Sequence, residues 1–151
     1  MHLLFVYCMS LFFNAPNNLQ QLRELFPLIG TNEAANKKMI LAANQNASDA
    51  SAIKKAYLAG AQMASANFKL FPLAKYQAFL EGKKLLEESV AMDKQNPEIR
   101  FVRYVIQSQL PAFLFYHQNM DEDKNIILKS LPTLKSNDPD LYSRIIAFIK
   151  L

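Results

Sequence analysis

The chain of 151 residues has one cysteine, Cys8, three glycines and no tryptophan. A single cysteine excludes a disulfide framework within the chain and any zinc site built on paired cysteines. With so little glycine, and no Gly-rich or Ser-rich stretch, flexible linkers and Gly-rich phosphate loops are excluded. No serine sits in a nucleophile elbow, and no triad candidate accompanies Cys8. Glu87 and Glu88 are adjacent, so on a helix they point to different faces, unlike the paired carboxylates of acid/base catalysis. Nothing in the sequence calls for a cofactor or a metal.

Half of the residues are hydrophobic (51%) and a fifth are charged (20%), which is the balance of a globular core. The length suits one domain. Net charge is +4, and its distribution is more telling than its sum. Residues 33–84 set eight lysines against Glu33, Asp49 and Glu81; residues 85–123 set seven acids against Lys94, Arg100 and Arg103; residues 124–151 return to five bases against Asp138 and Asp140. A nucleic-acid binder concentrates base on one face and keeps acid away from it. Alternating blocks suit ion pairs between neighbouring segments instead, and argue against a nucleic-acid partner.

Residues 3–13, LLFVYCMSLFF, form an apolar run followed by Asn14, Ala15 and Pro16. The run has the length of the apolar part of an export signal and is too short to span a bilayer. The usual basic start is missing, since the first formally charged side chain is Arg23; a start lying further upstream would account for that. The expectation is therefore a signal peptide over 1–16, with cleavage near Ala15, and a single helical domain over 17–151. Export to the periplasm or envelope follows. A lipid anchor on Cys8 is disfavoured by Tyr7 before it and by its place inside the run. If residues 3–13 are instead core of the mature fold, the chain is cytoplasmic.

Beyond Pro16 the pattern is helical throughout. Asn17 or Asn18 can cap a helix carrying Leu19, Leu22, Leu25 and Phe26, ended by Pro27 and Gly30. Thr31 or Asn32 caps a second helix toward Ala43, with Glu33 at its positive end. Ser48 or Ser51 caps a third over about 50–68, with Ile53, Ala56, Tyr57, Gly60, Met63, Ala64 and Phe68 facing inward. Pro72 opens a fourth, with a stripe of Leu73, Tyr76, Phe79, Leu80, Leu86 and Val90 and with Lys83/Glu87 and Lys84/Glu88 as i, i+4 pairs. Asn96-Pro97 begins a fifth, bearing Ile99, Val102, Ile106 and Leu110, which Pro111 interrupts. Asp121, Glu122 and Asp123 start a sixth through Leu131, and Asp138-Pro139 opens the last. The fold class expected is all-α, with six to seven helices in antiparallel hairpins.

The stretch Gly82 to Pro97 resembles the second helix of a tetratricopeptide repeat, with small, large and small residues at Gly82, Leu86 and Ser89. The resemblance covers one hairpin, residues 51–94, and a degenerate second over 97–131. Lys94 stands where the repeat prefers proline, and the preceding helix lacks the Trp-Leu-Gly-Tyr signature. It implies a repeat-like hairpin fold and a protein-binding role. The run Asn96 to Arg103, followed by Pro111-Ala112-Phe113-Leu114, is similar to a group of helical Bacteroidetes proteins with no assigned activity.

Few side chains stand out as a site. Arg100 and Arg103 lie one turn apart and can clamp a carboxylate or phosphate, or pair internally with Asp121, Glu122 or Asp123. The charge alternation favours the internal pairing. His117 with Asp121, Glu122 and Asp123 is the one metal-capable cluster, but one histidine and a helix-starting acid run suit capping better. Phe113, Phe115 and Tyr116 can form an aromatic platform or a core plug. The doublets Lys37-Lys38, Lys54-Lys55 and Lys83-Lys84 suit solvated helix faces. If the third and fifth helices line one concave surface, Lys54, Lys55, Arg100 and Arg103, with Tyr116 and His117, are the candidate binding residues for another protein or an acidic peptide. The expected function is a non-enzymatic interaction module of the cell envelope. Two alternatives stand beside it: an enzyme using the His117 region, and an intracellular adaptor with residues 3–13 in its core.

Overall fold

The computed structural model describes residues 18–45 and 51–150. The apolar run at 3–13 and the candidate cap Ser48 lie outside them. Among the described residues seven helices follow one another: α1 (Asn18–Leu25), α2 (Glu33–Asn44), α3 (Ala52–Ala64), α4 (Pro72–Met92), α5 (Pro97–Gln109), α6 (Met120–Asn137) and α7 (Pro139–Ile149). Short 3-10 turns cover Phe26–Leu28, Ser65–Phe68 and Ala112–Leu114, and no strand occurs among the described residues. The chain is all-α.

Local chemistry sets the helix starts. The side chains of Asn32, Ser51, Asn96 and Asp138 each accept a hydrogen bond from a backbone N–H of the following turn, satisfying donors that a helix leaves open. Pro72, Pro97 and Pro139 each occupy a first helical position, where the missing N–H costs nothing.

Helices α3 and α4 form the tightest hairpin. Ser89 donates to the Ala52 carbonyl at 2.6 Å, Lys55 pairs with Glu88 at 3.1 Å, and Gln62 donates to Glu81 at 2.6 Å. Rising along α3 therefore means falling along α4, so the pair is antiparallel. Gly82 makes the approach possible. A Cβ there would lie 2.7 Å from the Ala59 carbonyl oxygen and 2.8 Å from the Met63 nitrogen, and would also strike Met63 Cγ. Leu86 and Ser89 are fully buried beside it. Helices α5 and α6 are antiparallel by the same test, with Arg103 on Asp123 at one level and Gln107 on Asn119, 3.3 Å apart, at the next.

Two apolar clusters share α5. The larger joins Leu22, Met39, Tyr57, Leu86, Ile99 and Val102 from α1 through α5. The smaller joins Phe101, Val105, Ile127, Leu134, Leu141 and Ile145 from α5, α6 and α7. Phe26 packs against both.

Four details depart from the sequence expectations. Helix α6 runs through Pro132 to Asn137 instead of stopping at Leu131. A proline inside a helix forfeits one hydrogen bond, but continuing lets Leu134 enter the smaller cluster. Leu73, Tyr76 and Leu80 of α4 are exposed, not core. The helix turns them away from α3, toward which Ala78, Gly82, Leu86 and Ser89 face. The Lys83/Glu87 and Lys84/Glu88 pairs give way to tertiary partners: Glu87 bonds Arg103, and Glu88 bonds Lys55. Finally, the aromatic segment after Pro111 splits. Tyr116 is buried, whereas Phe113 and Phe115 are 72% and 77% exposed.

Candidate functional site

A cleft of about 670 Å³ opens between the two apolar clusters, which is within the usual range of ligand pockets. Phe26, Pro27, Ile29 and Gly30 form one wall. Tyr57, Gly60, Met63 and Ala64 of α3 lie along its base, and Phe101, Val105, Ile106 and Leu110 of α5 face them. Ala147 and Phe148 of α7 close the far side, with Arg144 and Arg23 at one end. The aromatic rings hold one another in place. Phe26 meets Tyr57 edge-on at 5.4 Å between centroids, and Phe148 meets Phe101 edge-on at 5.8 Å. Such edge-to-face pairs resist collapse into the space between them. Gly60 keeps the base low, because a Cβ there would stand 3.1 Å from Phe26 and 3.3 Å from Ile106.

The polar end of the cleft rests on a buried ion network. Arg23, 7% exposed, places Nε and Nη2 on the two oxygens of Glu98 at 2.7 and 2.8 Å. The same guanidinium reaches Asp138 at 2.6 Å and Asp140 at 3.1 Å. Tyr57 donates to Glu98 at 2.8 Å. Arg144 donates to Asp140 and to the Arg23 carbonyl at 3.0 Å, and its Nη2 has no partner among the described residues. The hydrogen bond to Glu98 raises the Arg23 pKa further above its ordinary value, against the effect of burial. Burial pushes the Tyr57 phenol well up, and the Glu98 charge adds to it. Burial would raise Asp138, but the bond from Arg23 and the Leu141 N–H outweigh it and hold the carboxyl below the usual range. Asp140 is lowered chiefly by Arg144.

A second network lies on the other side of α5. Asp123 has no solvent exposure and accepts two bonds from Arg103, at 2.8 and 2.7 Å, and one from Arg100 at 2.9 Å. Arg103 also pairs with Glu87 at 2.9 Å. Tyr116 donates to Glu87, and Lys83 sits 4.8 Å above the Tyr116 ring. Arg100 also donates from Nε to the Lys94 carbonyl at 2.8 Å, and its Nη1 lies 3.2 Å from Glu122.

The residues singled out from the sequence are thus dispersed. Arg100 and Arg103 are buried and bonded to Asp123, the internal pairing that the charge blocks favoured. Tyr116 belongs to the same network. His117 places Nε2 at 3.1 Å from the Leu110 carbonyl oxygen. Lys54 and Lys55 lie in the first turn of α3, where Lys55 is occupied by Glu88. None of them lines the cleft. Among the described residues no group of three or more His, Cys, Asp or Glu could hold a metal.

Sequence reasoning placed Tyr57 and Gly60 on an inward helix face without assigning them to a site, and passed over Arg23 and Arg144 as site residues. One signal for Arg23 was available. It falls within the stripe of Leu19, Leu22 and Phe26, and a charge on a buried face needs a buried partner. The cleft itself had no local signal, because its walls come from four helices. Among the described residues no helix is long and apolar enough to cross a membrane. No family model matches the chain, and neither a curated protein nor a solved structure is significantly similar to it.

Proposed function

We propose that the chain is a non-enzymatic interaction module of the cell envelope, built on repeat-like helical hairpins, whose cleft between α1, α3, α5 and α7 receives an apolar segment of a partner protein. The observation that carries this reading is the cleft: an open, mainly apolar trough, walled by braced aromatic rings, with Arg23, Thr31, Asn67, Gln109 and Arg144 as its hydrogen-bonding side chains. An amphipathic helix laid in a groove uses that combination, burying one face and fixing its register by a few polar contacts. The close α3–α4 packing at Gly82 supports the kinship with repeat hairpins. The apolar run at 3–13 is what favours the envelope over the cytoplasm.

The test is a peptide-display selection on the full chain, followed by affinity measurement on Ala147→Trp. Ala147 is exposed at the rim of the cleft, so tryptophan there obstructs the mouth without entering either core. Peptides with apolar residues at i, i+3, i+4 and i+7 should be enriched and should bind the variant at least about tenfold more weakly. The melt of the variant should stay close to that of the parent. Selected peptides that bind parent and variant equally would refute the cleft as the docking site.

A further inference from the structure

We propose that a second surface, formed by the lead-in and first turns of α4 together with the loop after α5, docks on an anionic phospholipid membrane. It is distinct from the cleft and independent of the partner proposed for it. Leu70, Phe71 and Leu73 are 88%, 73% and 68% exposed, and Phe113 and Phe115 are 72% and 77% exposed. Large apolar side chains scattered singly on a surface need no explanation, whereas a gathering of this size does. The two groups lie on segments that meet where Phe79 of α4 faces Tyr116. Tyr76 stacks on Phe79 at 6.2 Å, and Phe79 meets Tyr116 edge-on at 6.2 Å, which sets the loop at 113–116 beside the first half of α4.

The backbone spends strain to present one of these rings. Phe115 has φ 49° and ψ 44°, in the left-handed region, while its ring stands in solvent. That conformation is unfavourable for a residue with a Cβ, and a bulky residue adopting it is a true outlier. Strain of this kind gathers at functional positions. The turn is held by bonds to the backbone, the Phe115 N–H on the Ala112 carbonyl and the Gln118 side-chain amide on the Phe115 carbonyl, while the ring itself is left in solvent.

The charges around the apolar side chains name the occupant. Lys69 stands before Leu70. On α4 the line of Leu73, Tyr76 and Leu80 continues into Lys84 at helical spacing and carries no acid. Lys69 and Lys84 are both exposed and make no ion pair among the described residues. Protruding Leu and Phe side chains bracketed by unpaired lysines fit the headgroup boundary of an anionic bilayer, the rings entering the acyl edge and the ammonium groups meeting phosphates. A protein partner anchored on protruding side chains would need pockets to receive them and acids to meet the lysines. A bilayer supplies both without shape.

The experiment is co-sedimentation of the full chain with mixed phosphatidylglycerol–phosphatidylcholine vesicles and with phosphatidylcholine vesicles alone. Residues 3–13 are common to every variant, so differences between variants report the surface on α4. Phe71→Ser with Phe113→Ser, and separately Lys69→Glu with Lys84→Glu, should each lower binding to the anionic vesicles by about tenfold or more. Phe115→Gly should lower that binding too while leaving the melt unchanged or raised, because glycine removes the strain. Binding by the parent should be weaker on the neutral vesicles. Equal sedimentation of all variants, or equal binding of the parent to both vesicle types, would overturn the proposal. So would variants that lose self-association in the ultracentrifuge yet bind vesicles as the parent does.

Discussion

The side chains that decide this fold include several that are charged and out of water. Arg23, Glu98, Arg100, Arg103 and Asp123 are all 7% exposed or less, and each is bonded to an opposite charge. Such groups are costly to bury and more costly to orphan. Asp123 faces two guanidinium groups, so Asp123→Asn should cost more stability than Arg103→Met, on the order of 3–5 kcal/mol. The double variant should recover part of the loss, since it leaves one buried guanidinium, not two, without the Asp123 charge. Chemical denaturation of the four proteins gives the coupling energy, expected at about 1–3 kcal/mol. A coupling near zero would mean that water, not Asp123, satisfies Arg103. The Arg100/Arg103 and Asp121–Asp123 relation was legible in the sequence as opposite charge in neighbouring blocks. The choice of Asp123 over Asp121 was not, because it depends on which face of α6 turns toward α5.

At the scale of the element, local chemistry was readable and tertiary orientation less so. Caps at Asn32, Ser51, Asn96 and Asp138 and prolines at Pro72, Pro97 and Pro139 announce helix starts by side-chain chemistry alone. The closeness of α3 and α4 was legible too, through the small residues at Gly82 and Ser89. Gly82→Ala tests it with the smallest possible change. The added methyl meets backbone atoms of Ala59 and Met63, which cannot rotate away, so the hairpin must spread. A loss of about 1–3 kcal/mol is expected in a thermal or denaturant melt, although alanine is the better helix former. An unchanged melt would show that the two helices slide apart without penalty. Apolar spacing misled at Leu73, Tyr76 and Leu80. A stripe on a helix says that some neighbour is wanted, not that the same chain provides it.

For the whole molecule, pH is the probe that reads both flanks of the Arg23 network. Asp138 and Asp140 have pKa values lowered by folding. The unfolded chain therefore binds their protons first, and their contribution is present above about pH 4 and lost as pH falls through the depressed values. Tyr57 of this network, and Tyr116 of the network around Arg103, have raised values. In the unfolded chain they ionise near pH 10, so their contribution is present below that and declines as pH rises beyond it. Melting temperature against pH should form a plateau with an acid shoulder and an alkaline one. Tyr57→Phe should soften the alkaline fall; a profile identical to that of the parent would count against the buried phenol. None of this was visible in the linear charge pattern, because Arg23 meets Asp138 and Asp140 across 115 and 117 positions.

That span bears on the order in which the chain can complete itself. Arg23 is among the first of the described residues to be synthesised, and its acids on α7 are among the last. Until residue 140 has emerged, α1 holds a guanidinium with one of its three carboxylates and no final place to rest. The α3–α4 hairpin closes over a short loop and can form early; the clasp between α1 and α7 must wait for a further stretch of more than a hundred positions. A growing chain therefore stays open at α1 until α7 has been made, and α7 acts as the latch.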